Sequence, residues 1–206
     1  VVGYDLPDNN INDVDDIKRF KDEVVEKYRK IDGLVNCHWS KPDGFFDKVE
    51  DYEEDTWDEV MDCNLKGTFM MCKIIGKQMI ENGGGNIVNI ASTYSVVAPN
   101  HKIYDGIEQP LQSPASYAAS KGGVMALSNY LSTYWASKKI RVNMITPHGV
   151  WNNHEKTFTK NFSEMSPMGR LSFNFEVAGA LIYLLSDASS YVTGHNLVVD
   201  GGWTAW

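Results

Sequence analysis

Cysteine, concentrated basic charge and long apolar runs are all scarce in this chain of 206 residues. The three cysteines, Cys37, Cys63 and Cys72, are odd in number and lack metal-ligand spacing. They argue against a disulfide framework or a metal site and for a reducing, cytoplasmic setting. The net charge is −8 and no Lys/Arg cluster stands out, so nucleic acid is not an expected partner. The apolar runs fall far short of the ~20 residues of a membrane helix, and no secretory leader is visible. No membrane partner is therefore expected. There is no internal repeat and no low-complexity segment. A starting Met is also lacking. Val1 to Leu6 reads as a β-type run already under way, and the expectation is that an N-terminal piece is missing from these residues.

What is present is a composition of 43% apolar and 22% charged residues, suited to one globular domain spanning 1–206. Strand-like and helix-like segments alternate. Val1–Leu6 reads as a strand. Asp13–Lys30 has helical spacing with Asp13 as N-cap. Gly33–Cys37 is a short apolar strand. Asp55–Glu81 reads as one long helix closed by Asn82 and a run of glycines. Asn86–Ala91 is the next strand, followed by a loop to Ser113. Pro114–Ser137 is a helix with Pro in its first turn, and Ile140–Thr146 a strand ended by Pro147. An irregular segment to Arg170 precedes a helix over Phe175–Ser186 and a last strand over Asn196–Val199. Such alternation predicts an α/β fold, a doubly wound, Rossmann-like parallel sheet with helices on both faces, N-terminally incomplete.

The most informative stretch is Tyr117-Ala-Ala-Ser-Lys121. On a helix, residues four apart share a face, so a phenol and an ammonium point the same way. A free Tyr titrates near ~10, and a nearby cation draws that value down toward a useful acid-base range. In parallel sheets ligands bind at the carboxyl ends of the strands. Asp5, Asn36, Ser92 and the segment after Thr146 are predicted there. Ser92 can hold a substrate oxygen while Tyr117 moves a proton to or from it.

These motifs, in order, resemble the short-chain dehydrogenase/reductase family. Ile31–Asn36 resembles the strand leading to the family's N-N-A-G motif, Asp62–Gly67 the segment with its catalytic Asn, and Asn89–Ser92 the strand end with its catalytic Ser. Tyr117 and Lys121 fall on its catalytic pair. Arg141-Val142-Asn143 with Pro147-His148-Gly149 resembles its R-V-N-x-I-x-P-G segment. Pro167–Arg170 and Val199–Gly202 resemble its C-terminal signatures. The resemblance implies hydride transfer between a nicotinamide and a polar, possibly sugar-linked alcohol or ketone. Tyr117 would be the acid-base, and Lys121 would lower its pKa and hold the ribose. Ser92 would position the substrate, and Asn64 would hold a relay water. It further implies cofactor contacts from Asp5, Asn10, Ile11, Asn36, Cys37, Tyr117, Lys121, Pro147, Gly149 and Val150, with Tyr94, His148 and Trp151 toward substrate. An acidic residue after the second strand accepts from a ribose 2′-OH and repels a 2′-phosphate, so Asp5 favours NAD over NADP. Relatives pair as dimers or tetramers, and Tyr130, Tyr134 and Trp135 are candidate interface or core aromatics.

The departures are as plain. No Gly-rich phosphate turn lies within these residues. His38 and Trp39 stand where the family has a small residue and Gly, and Trp39 must turn aside, either into a substrate wall or against the cofactor. Residues 93–113, with Tyr94, His101, Tyr104, Asp105 and Glu108, are longer than usual, a feature that resembles nucleotide-sugar and flagellin-modification reductases. The rival expectation is a non-catalytic member that kept the fold and lost the cofactor.

Overall fold

The computed structural model describes residues 1–5, 9–107 and 111–206. Four strands form one parallel sheet in the order β1 (Gly33–Asn36), β2 (Gly85–Ile90), β3 (Ile140–Pro147) and β4 (Asn196–Val199). Leu34 pairs with Ile87, Ile87 with Val142, and Ile145 with Leu197. All carboxyl ends therefore meet at one rim. Helices cover both faces, which is why β3 is almost continuously buried and β2 is buried through Ile87, Val88 and Asn89.

Helix α1 (Val14–Tyr28) starts where Asp13 accepts from the amides of Asp15 and Asp16. With α3 (Thr68–Glu81) and α4 (Ala115–Trp135) it covers one face, around Ile17, Leu34, Ile75, Ile87, Leu131 and Val142. Helix α6 (Asn174–Leu185) covers the other, with Leu184 against Val88 and Ile145. A third cluster, Ile103, Phe162, Leu171 and Trp203, is separate from both. Trp135 is core, packed where a Gly76 side chain would stand, whereas Tyr130 and Tyr134 stack on each other in solvent.

Three expected elements differ. The run from Val1 is not a strand in residues 1–5; Leu6 lies outside the described residues. β-branched residues alone do not make a strand. A ladder partner is needed, and among the described residues β1 pairs only with β2. The segment is instead held by Tyr4, which packs on Phe20 and donates to Asp16. The long helix is interrupted: α2 (Glu54–Met61) passes into a π-helical turn, Asp62–Gly67, before α3. π turns are rare and gather at functional sites, and this one carries Asn64. Finally, the segment after β3 is not irregular throughout, because α5 spans Lys156–Met165. Phe158, Phe162 and Met165 line its packed side, and Glu155 caps it by accepting from the Phe158 amide.

Candidate active site

Residue Ser92 follows the carboxyl end of β2, and α4 begins across from it. Ser92 is buried, and its Oγ accepts from the Tyr94 amide at 3.2 Å. Its side chain also stands near enough to the Tyr117 hydroxyl to act on the phenol's titration. One helical turn on, the buried Lys121 Nζ donates to the Ile90 carbonyl at 2.8 Å and lies 5.7 Å from the Tyr117 ring centroid. The spacing legible in Tyr117-x-x-x-Lys121 thus places a phenol, an ammonium and a hydroxyl at one strand end.

Burial dominates their electrostatics. It holds the Tyr117 phenol above its ordinary value, while the Ser92 side chain acts in the other direction. Burial likewise draws Lys121 down to about 8, against the nearby Cys63 and Cys37. The depression of Tyr117 expected from Lys121 is therefore not what this structure shows. Both groups are desolvated, and desolvation disfavours the charged form of each. A protonated phenol is the form that can donate to a carbonyl oxygen.

Behind the pair stands a clamp. Asn64 is fully buried in the π turn. Its Nδ2 donates to Ser120 Oγ at 3.0 Å, and its Oδ1 accepts from the Ser40 amide at 2.9 Å. Ser120 Oγ itself donates to the Tyr117 carbonyl. Asn64 thereby ties the loop after β1 to the turn of α4 between Tyr117 and Lys121. Its main-chain carbonyl accepts from Thr68. Close approach makes this possible: a side chain at Gly123 would meet Leu65 of the π turn at 2.7 Å.

The adjacent residues His38 and Trp39 point to different neighbours. His38 Nε2 faces Thr68 Oγ1 at 3.2 Å and lies near Gly67, where Ile11 also packs. Burial, with Lys121 second, lowers its pKa to about 4. Trp39 lies edge-on to Tyr117, 6.1 Å between centroids, and 5.9 Å from Phe45. Phe45 and Tyr94 also meet Tyr117 edge-on, each at 6.2 Å. Sequence reasoning left Phe45, Ser120, Ser40 and Thr68 out of the site. Phe45 was the findable one, an aromatic in a loop leaving a strand's carboxyl end.

Several candidate contacts are committed elsewhere. Asn36 is buried, donating to Asn89 Oδ1 at 2.8 Å and to Cys72 Sγ, and its Oδ1 accepts nothing. Asn10 has its amide on Asp16, its Oδ1 on Asn12 and its carbonyl on Tyr4. Asp5 and Cys37 are exposed. The segment after β3 is pinned: Val150 bridges to Ser172, and Gly149 adopts φ 55° where a Cβ would strike Phe162 at 2.1 Å. Pro147 closes β3 in register with Val199. His148 packs among aromatic rings, one of them Tyr94, 6.3 Å away and itself edge-on to Tyr117. Its ring lies 4.4 Å from Trp203 and 4.8 Å from Phe162, and Nδ1 meets Thr93 Oγ1 at 2.6 Å. Burial lowers its pKa to about 4. Its Nε2 and Ser172 Oγ have no partner, and both residues line a cavity of about 70 Å³ that includes neither Ser92 nor Tyr117. Trp151 lies against His154, away from the Tyr117 rings. Glu108 is outside the described residues. Arg141 and Asn143 fasten the end of α6 and the turn before β4, through the carbonyls of Leu184, Ser186 and Val192 and the His195 amide.

A family model described as enoyl-(acyl carrier protein) reductase matches residues 5–204. The chain is 36% identical over 200 residues to an NAD-dependent glycerol dehydrogenase of Listeria innocua, covering 95% of this chain and 73% of that protein. The chain belongs to the short-chain dehydrogenase/reductase family. Its structure superposes on a family member from Leptospira borgpetersenii with bound NAD+ at a TM-score of 0.86 and 33% identity, covering 95% of this chain and 73% of that one. A gluconate 5-dehydrogenase from Burkholderia cenocepacia, in complex with NADP and tartrate, aligns at 0.84 and 29% identity, covering 95% and 73%. This short-chain dehydrogenase/reductase is thus an oxidoreductase of the nicotinamide-dependent kind. Among the described residues, no helix is long and apolar enough to cross a membrane, and no group of three or more His, Cys, Asp or Glu could hold a metal.

Proposed function

We propose that this oxidoreductase interconverts a secondary alcohol and a ketone on a polyhydroxylated small molecule, with NAD as its cofactor. The observation that carries the reading is the convergence of Ser92, Tyr117 and Lys121 at the end of β2. The relatives named for glycerol and gluconate support the polar substrate class.

The residues fit a nicotinamide ribose. An ammonium has three donors, and Lys121 directs one at Ile90, so a buried cation beside a phenol remains to bind hydroxyls. A bound nicotinamide supplies or accepts the hydride. The chain's own residues handle the proton. Tyr117, kept protonated by burial, donates to the carbonyl oxygen in reduction, and in oxidation it takes the alcohol's proton after losing its own to solvent. Ser92 holds that oxygen within reach. Asn64 acts as a positioning residue, because its side chain is committed to Ser120 and Ser40. Asp5 carries the preference for NAD, its carboxylate opposing a 2′-phosphate. Ile11, beside Gly67 and His38, supplies an apolar contact on the cofactor side. We also propose a homo-oligomer, supported by exposed Tyr130 and Tyr134 on α4 and exposed Phe175 and Ile182 on α6.

Titration of the full-length protein with NADH and NADPH, followed by nucleotide fluorescence, tests the reading. NADH should bind about tenfold more tightly, a difference of about 1.4 kcal/mol. Asp5→Ser should narrow the gap. Absence of binding by either nucleotide at millimolar concentration sinks the oxidoreductase reading, and tighter NADPH binding sinks the assignment of NAD.

A further inference from the structure

Tyr117 is enclosed by aromatic rings. Trp39, Phe45 and Tyr94 each present themselves at a steep angle to its ring, 75°, 80° and 89°, with centroids 6.1 to 6.2 Å away. Phe45 is buried and Tyr94 half-buried, whereas Trp39 is 53% exposed. Of these three walls, Trp39 is the one most exposed. The polar groups near these rings include hydroxyls, with Tyr94 Oη 3.4 Å from Ser113 Oγ and the Tyr104 phenol beside both, and the His148 imidazole 6.3 Å from the Tyr94 ring. Burial, Ser92 and Tyr94 set the Tyr117 titration, with no carboxylate or guanidinium among its causes.

We infer that Trp39 determines specificity, and that the substrate is a neutral, ring-closed sugar of the pyranoside type. This rests on the oxidoreductase reading above. A pyranose in its chair form gathers C–H groups on its faces and sets hydroxyls around its edge. The faces match aromatic walls, which bury large apolar area, and the edge matches the Tyr94, Tyr104 and Ser113 hydroxyls. An acyclic polyol carries a hydroxyl on every carbon and cannot turn them all from the rings, so some would be desolvated without partners. A sugar acid would need a cation to meet its carboxylate; among the described residues the one cation in contact with the Tyr117 ring is Lys121, which donates to Ile90, and Lys41 lies one ring further out, over Phe46. In the oxidation, a ring carbon's C–H would leave as hydride to the oxidised nicotinamide, and its O–H proton would pass to Tyr117 in its phenolate form, whose own proton has gone to solvent. The C–O single bond becomes a carbonyl, and NAD+ becomes NADH.

The test uses full-length protein, with methyl α-D-glucopyranoside and methyl α-D-galactopyranoside as ring-locked probes and glycerol and D-threitol as acyclic ones. Binding is read by saturation-transfer NMR and turnover by NADH formation. The wild type should bind at least one pyranoside about tenfold more tightly than either acyclic probe, with saturation strongest on ring C–H protons. Trp39→Gly should weaken that pyranoside about tenfold, mainly in KM, and leave glycerol unchanged, while Trp39→Phe keeps the preference. Preference of the wild type for an acyclic probe, or an unchanged ratio in Trp39→Gly, overturns the inference. Because binding is read without turnover, failure to bind either pyranoside overturns this inference whatever NADH does. Absent NADH binding overturns the oxidoreductase reading alone.

Discussion

Asn89 and Ser92 stand three residues apart at the end of one strand, yet they do different things with their hydrogen bonds. Asn89 is wholly buried. Its Oδ1 accepts from Asn36, and its Nδ2 donates to Ser128 at 2.8 Å, which in turn bonds the Val124 carbonyl. Ser92 accepts from one amide and faces the hydroxyl of Tyr117. The inner set, Asn36, Asn89, Ser128 and Cys72, joins the sheet to α3 and α4. The rim set, Ser92, Tyr117 and Lys121, keeps donors and acceptors for something outside the chain. The contrast teaches that a polar residue near a strand's carboxyl end is not thereby a ligand. What matters is whether the fold has already satisfied it, because a buried polar group left unpaired is costly and one already paired has little left to offer.

Substitutions at the rim should harm turnover, and those in the inner set should harm folding. The largest effect is expected of Tyr117→Phe, with kcat falling about 1,000-fold. NADH affinity and melting temperature should stay close to wild type, and a variant that turns over normally would remove Tyr117 from the chemistry.

Lys121→Met should lower kcat/KM about 100-fold and weaken NADH. It should not lower stability at neutral pH. Burial draws the folded Lys121 down to about 8, from the 10.5 of an unburied lysine. Holding that proton therefore opposes folding below pH 8, and the penalty fades as pH rises from 8 toward 10.5. A marked fall in melting temperature at pH 7 would show that Lys121 belongs with the inner set.

Asn89→Ala should do the converse. Leaving Asn36 and Ser128 without their partner is expected to reduce unfolding free energy in urea by about 1–3 kcal/mol, with NADH affinity of the folded protein unchanged. If turnover falls while stability holds, the division between the two sets breaks.

The smallest effect concerns pH. His38 and His148 are each lowered from 6.5 to about 4, chiefly by burial. The unfolded chain then binds more protons between those values, so stability should fall as pH drops from 6.5 to 4 and be flat in these groups above 6.5. Each contributes a slope of at most about 1.4 kcal/mol per pH unit. His148→Gln should remove part of the slope in urea melts, and an unaltered slope would show that His148 is open to water.

Much of the frame was legible because it rests on local rules. Asp13 caps α1 as its side chain predicts, and the alternation of strand and helix marks the parallel sheet. Tyr117 and Lys121 share a face because a helix must place them so. The first run failed as a strand because pairing is not local. α5 was legible in the spacing of Phe158, Phe162 and Met165, but polar flanks obscured it. Nothing local announces the π turn, since it depends on how Asn64 is held by Ser120 and Ser40. His148 looked available at the end of β3, and only the fold shows it packed on Phe162, Trp203 and Tyr94.

The sequence by itself determined the fold class, the family and the placing of Tyr117 and Lys121 on one helix face, because periodicity, capping and helical spacing act over a few residues. Tertiary structure alone decided which polar groups remained open. It committed Asn36 and Asn10 within the fold, raised the Tyr117 phenol by burial, and laid Trp39 beside it. Those outcomes depend on desolvation and on partners distant in sequence, and neither can be read from a residue and its neighbours.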